Sequence, residues 1–128
     1  MTPRSAQLID GANQALTSAQ RELEARDLEG AAERACMAML RLAKACLDVD
    51  GVSPGPAHAV CSEYGRRFVQ TGVMYSAYFR WLLDAADLRK AVGSEIAAQI
   101  DYDAAATVVE RAEIFRDATT RFVVRGGR

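Results

Sequence analysis

The feature that most constrains this chain is the run from Leu28 to Val49. Leu28, Ala32, Ala35, Met39, Leu42 and Cys46 recur at alternating spacings of four and three, the seam of a bundled helix. Cys36, Leu40, Ala43 and Leu47 widen that seam until most of the circumference is apolar. A helix of this kind cannot sit on a surface, so other helices must surround it. Asp27 stands where it can cap the helix.

The same periodicity predicts the surrounding elements. A first helix is expected over about Ala6 to Glu24, capped by Ser5, with Leu8, Ile9, Ala12, Leu16, Ala19 and Leu23 facing inward. The stretch Asp50-Gly51-Val52-Ser53-Pro54-Gly55-Pro56 is a loop. A third helix follows over about Ala57 to Gln70, ended by Thr71-Gly72. A fourth, over about Tyr75 to Ala91, carries Tyr75, Phe79, Leu82 and Ala86 on one stripe. Residues 92–100 fit either a further helical turn or an irregular connection. The last helix starts at a cap of Asp101 or Asp103 and runs to about Val124, with Val108, Ala112, Phe115, Thr119 and Phe122 as its core stripe. Residues 125–128 read as a short flexible tail. Short connections make sequential helices antiparallel. The expected fold is therefore all-α, an antiparallel up-and-down bundle of four to five helices in one domain spanning residues 1–128.

Composition agrees. Of 128 residues, 24 are alanine, and half are hydrophobic, so a core can form without long side chains. The net charge of −1 argues against a domain that coats duplex nucleic acid, though not against a local basic site. Apolar runs are too short for a membrane span, which needs ~20 residues. The start of the chain shows no basic-then-apolar pattern, and Cys36, Cys46 and Cys61 are odd in number. Both point to a cytoplasmic protein with reduced thiols.

Catalytic signatures are sparse. His58 is the sole histidine; with Ser62 it makes an i,i+4 pair that no acid is placed to orient. It reads as a surface histidine at the far end of another helix from Arg89. His58 and Cys61 supply too few ligands for zinc, and di-iron bundles require Glu-x-x-His on two helices, so no metal or cofactor is expected. No phosphate-loop or dinucleotide fingerprint is present. Tyr78 and Trp81, one turn apart, fit an interface with a second subunit, giving a homodimer, ahead of base stacking. Arg80, Asp84, Asp87 and Arg89 fit a solvated face with i,i+4 pairing, Arg80 to Asp84 in particular. Arg34 and Arg41, on the central helix, must reach water or a carboxylate. Each is a candidate for a polar site or for an ion pair, the ion pair slightly favoured.

Several segments in order resemble the HEPN domains, small prokaryotic helical bundles found beside minimal nucleotidyltransferases, in their short stand-alone form. Arg26-Asp27-Leu28-Glu29-Gly30-Ala31-Ala32 is similar to the family's Asp-aromatic-x-x-Ala lead into the second helix. Arg34-Ala35-Cys36-Met37-Ala38-Met39-Leu40 is similar to Arg-Ala-Tyr-Tyr-Ala-Met-Phe. Phe68-Val69-Gln70-Thr71-Gly72 is similar to Phe-Val-x-Thr-Gly, Leu88-Arg89-Lys90-Ala91 to the start of Leu-Arg-x-x-Ala-Asp-Tyr, and Ala112-Glu113-Ile114-Phe115 to the last helix. The resemblance implies a dimeric binding or regulatory module, paired with a nucleotidyltransferase or part of a toxin–antitoxin-like system. Family ribonucleases follow their arginine by four to six residues with a histidine. No histidine follows Arg89, Val92-Gly93 replaces Asp-Tyr, and Cys36-Met37 replaces the paired tyrosines. The expectation is no catalytic residue and a polar site of Arg34, Arg41 and Arg89 for a nucleotide or RNA. Arg89 then binds an anion or pairs with Glu110 or Glu113. A metal-independent ribonuclease, active or vestigial, and a nucleotide or small-anion binder are the alternatives.

Overall fold

The computed structural model describes the chain from Met1 to Arg128, apart from the side chains of residues 96 and 97. It is an all-α bundle. Helix α1 spans Pro3–Glu24, α2 Leu28–Val49, α3 Ala57–Tyr64 with a π turn over Gly65–Val69, α4 Ala77–Ala91, α5 the single turn Glu95–Ala98, and α6 Tyr102–Val124. As the sequence requires, α2 is central and packs against α1, α3, α4 and α6. Ala35, Cys36, Leu42 and Cys46 are wholly excluded from solvent.

Caps set the helix starts. The first helix begins at Pro3, not Ala6: Thr2 is the cap, its hydroxyl accepting from the Ser5 amide at 3.0 Å. Ser5 is buried and reciprocates, its Oγ accepting from the Thr2 amide at 3.0 Å. Proline at the first helical position loses no hydrogen bond, which is why the helix reaches that far. Asp27 caps α2 through the Gly30 amide at 3.1 Å, and Asp101 caps α6 through the Ala104 amide at 2.8 Å. Between α1 and α2, Arg26 holds the left-handed φ of 64°, with its guanidinium 4.2 Å from the Tyr102 ring centre. That contact ties the turn to the start of α6.

The core has two textures. Between α1 and α2 it is made of methyl groups, with Ala12, Ala19, Ala31, Ala35 and Ala38 fully buried, so these helices sit close together. Between α3, α4 and α6 it is aromatic. Phe115 lies 5.4 Å from Tyr64 and 5.7 Å from Tyr78, while Phe68 lies 5.3 Å from Tyr64 and 5.2 Å from Phe122. Gly65 opens the π turn because the Phe79 ring covers it; a Cβ there would lie 2.6 Å from Cε1 of that ring.

One connection departs from up-and-down alternation. Ala57, at the start of α3, lies beside Leu40 and Lys44 in the middle of α2, whereas Arg67 reaches Asp50 at the end of α2. Helix α3 therefore runs parallel to α2. The loop over residues 50–56 turns back at once, the Val52 amide bonding to Leu47 O at 3.0 Å, and descends alongside α2. Seven residues can span roughly 20 Å, twice what this return requires.

Other expectations are corrected. Tyr75 precedes α4 and is 68% exposed, so it is not a core residue; Leu82 and Ala86 are. In α6, Val109 takes the fully inward position, and Val108 only packs against the core edge. Residues 92–100 contain the single turn α5, and the Gly93 amide donates to Glu29 Oε1 at 2.9 Å. The tail 125–128 is held in place rather than free. Gly127 is buried against Val49 and Phe122, and Arg128 bonds both carboxylate oxygens of Asp50, at 2.8 and 3.0 Å, and Arg67 O at 2.9 Å. Among the described residues no helix is long and apolar enough to cross a membrane.

Candidate functional site: a cationic groove

The bundle separates the three arginines singled out from sequence. Arg34 turns toward α1, its Nε 3.2 Å from Glu22 Oε1, and acts as an interhelical ion pair. Arg41, two turns further along α2, also reaches α1, at Gly11 O, but unlike Arg34 it comes together with Arg89. They line a groove of about 490 Å³ between α2, the start of α3 and the last turns of α4. Lys44 and Lys90 line it as well. They are the only lysines in the chain, and the sequence reading did not select them. The signal available was their spacing: Lys44 follows Arg41 by one turn, and Lys90 adjoins Arg89. Met37, Leu40, Ala57 and Ala86 form the apolar remainder of the lining.

Among the described residues, no carboxylate lines the groove. Several other arginines are neutralised locally: Arg4 by Asp48, Arg66 and Arg67 by Glu63, Arg80 and Arg111 by Asp84, and Arg128 by Asp50. Among the described residues, Arg41, Lys44, Arg89 and Lys90 have no such partner. Arg89 meets neither Glu110 nor Glu113. Arg41 is half-buried and is aimed by one contact, Nη1 donating to the Gly11 carbonyl at 3.2 Å across the α1 interface. That bond occupies one of its five N–H donors, and the side chain stands between the groove and a cleft on α1 lined by Gly11 and Gln14. Four cations gathered over an apolar floor repel one another and gain only when an anion joins them.

Tyr78 and Trp81 share a face, with ring centres 5.4 Å apart, but that face is turned onto this chain's own α6. Tyr78 meets Phe115, and Arg111 lies 5.4 Å from the Trp81 ring centre. Both are only half-exposed. His58 is exposed, as the sequence indicated, and is not among the residues that line the groove. Its neighbour Ala57 lines the same groove, because α3 starts halfway along α2. Among the described residues, no group of three His, Cys, Asp or Glu side chains is placed to hold a metal ion.

The three thiols are buried and structural. Burial pushes Cys36 and Cys46 up from 9.0 to about 12; for Cys36 the charge of Arg89 pulls weakly the other way. Native Cys36 and Cys46 therefore stay protonated at pH 8 and should react with a thiol reagent only as fast as the chain opens. Their linkage has a definite sign. In the unfolded chain these thiols lose protons near 9, while in the native chain they hold them to about 12. Stability should be unaffected below pH 9 and fall as pH rises from 9 toward 12. Urea titrations at pH 8 and 10 check this; a Cys36→Ser/Cys46→Ser variant that loses as much stability between those pH values would contradict it.

No protein-family model matches the chain, and no curated protein matches it.

Proposed function

We propose that this chain is a HEPN-like binding and regulatory module whose groove between α2 and α4 takes a phosphate-bearing ligand, a nucleotide or a similar small anion. The observation that carries the reading is the convergence of Arg41, Lys44, Arg89 and Lys90 with no carboxylate among the lining residues. Arginine presents a planar fork to phosphate oxygens and lysine a mobile point charge. The groove lies within the 300–1,000 Å³ typical of small-molecule sites. Thermal unfolding with inorganic phosphate, a nucleoside triphosphate and the uncharged nucleoside tests it. A ligand at a hundredfold its dissociation constant adds ~2.7 kcal/mol, a shift of roughly 10 °C for a chain of this length. The phosphorylated ligand should shift the transition and the nucleoside should not; equal response to both, or to neither, would remove the reading.

The regulatory half of the proposal rests on the family resemblance. It expects a homodimer and a nucleotidyltransferase partner, both checked by light scattering and by stoichiometric co-purification at native expression. A second reading, a metal-independent ribonuclease, is favoured by one observation: His58 adjoins a groove residue. Phosphodiester cleavage needs a proton-transfer group within hydrogen-bond reach of the reacting oxygens. Under the binding-module reading, the parent chain leaves single-stranded and transfer RNAs intact. Cleavage lost in both His58→Ala and Arg89→Ala would establish the ribonuclease instead.

A further inference from the structure

A second, independent surface lies at the other end of α4. Tyr75, which is 68% exposed, is the most solvent-exposed aromatic residue of the chain. It is not loose: its ring meets Tyr78 edge-to-face at 5.8 Å, and Tyr78 rests in turn on Phe115. Val73 and Met74 lie beside it. From α6, one turn apart, Arg121 and Arg125 complete a shallow cleft of about 190 Å³ with these residues. Both arginines are exposed, and among the described residues neither meets a carboxylate. The nearest acid on the helix, Asp117, is held by Arg116 at 3.1 Å. Arg125 is pre-positioned, its Nε donating to Gly127 O at 3.1 Å and its guanidinium 5.7 Å from the Phe122 ring centre.

We infer that this face docks an acidic segment of a partner protein, with carboxylates on Arg121 and Arg125 and an apolar side chain against Tyr75 and Met74. Three observations select that occupant. The cleft is below the size of small-molecule sites, so its occupant is a surface. Tyrosine and arginine together are the residues that carry most protein–protein binding energy. Two cations on a chain of net charge −1 fall short of the basic stripe that a nucleic-acid strand requires. The arginine forks donate bidentately to carboxylates, and the like-charge repulsion between them is relieved by the same contact.

The test is to pan a random twelve-residue peptide library on the intact chain and on an Arg121→Glu/Arg125→Glu variant, with thermal melts confirming that both fold. The parent should enrich peptides carrying two or more Asp or Glu beside an apolar residue. Those peptides should bind the charge-reversed variant at least about tenfold more weakly, with a smaller loss for Tyr75→Ala. If the reversed variant does not fold, Arg121→Gln/Arg125→Gln takes its place. No enrichment, enrichment without acidic residues, or equal binding to both proteins would overturn the proposal. Displacement of the peptides by a mixed single-stranded oligonucleotide would reassign the surface to nucleic acid and overturn it too.

Discussion

Replacing Phe115 by alanine should cost about 3–5 kcal/mol, the range for deleting a fully buried aromatic side chain. Phe115 is inaccessible to solvent and lies where three helices meet, touching Tyr64 of α3 and Tyr78 of α4 from its place on α6. Its removal leaves a cavity between rings that cannot slide together, because Tyr64 is also fixed by Phe68, and Phe68 by Phe122. Against a total stability of about 5–15 kcal/mol, this change alone removes a large part of the margin and should lower the melting transition by roughly 10 °C or more. Leu42→Ala should cost about 2–5 kcal/mol, since Leu42 is buried on the central seam. Leu8, half-buried near the start of α1, should cost clearly less. Urea midpoints at constant m-value give the comparison. If Leu8→Ala proved the most damaging of the three, the assignment of α2 and α6 to the centre would be wrong.

The central helix was legible because nearly every position on it is decided by burial. A spacing of three and four names Ala35, Met39, Leu42 and Cys46 before any neighbour is known, and all four are buried. Asp27 and Asp101 were legible as caps for the same reason: their bonds close within three residues. What could not be read is what depends on meeting a distant segment. Arg34 finds Glu22 across a turn. Arg128 finds Asp50 at a separation of 78 residues, which converts an apparently free tail into a strap. The direction of α3 depends on a loop that is long enough to run either way. In sequence, Tyr75 continues the α4 spacing backward and so falls on the same stripe as Leu82 and Ala86. The backbone leaves the helical path before Ala77, with the Met74 amide bonding Phe68 O at 2.7 Å, and the ring is carried outward. Half of the candidate site was visible, Arg41 as a polar residue on an apolar helix and Arg89 through the family resemblance. Lys44 and Lys90 became visible only when α4 was laid across α2.

Neutralising the groove should separate binding from stability. In Lys44→Gln and Arg89→Gln, one lysine or arginine charge is removed from each wall without changing side-chain length much. Neither residue has an ion-pair partner to lose among the described residues, so the unliganded chain should keep its stability within roughly 0.5 kcal/mol, the usual range for surface substitutions. Relief of like-charge repulsion works in the favourable direction. Affinity should behave oppositely. Each charge-assisted bond to phosphate that is lost should weaken a phosphorylated ligand by about tenfold or more, and the double variant should bind too weakly to shift the melting transition. Arg34→Gln serves as the control: it removes a cation from α2, but one that is bound to Glu22 and does not line the groove, so affinity should stay at the parental value. Salt adds a further check, because the parental affinity should fall as ionic strength rises and that of the double variant should not. Isothermal titration and thermal unfolding on the parent and the four variants measure both quantities. Equal loss of affinity in Arg34→Gln and Arg89→Gln would place the ligand elsewhere. Loss of stability in the groove variants would mean that these cations hold the bundle together rather than wait for an anion.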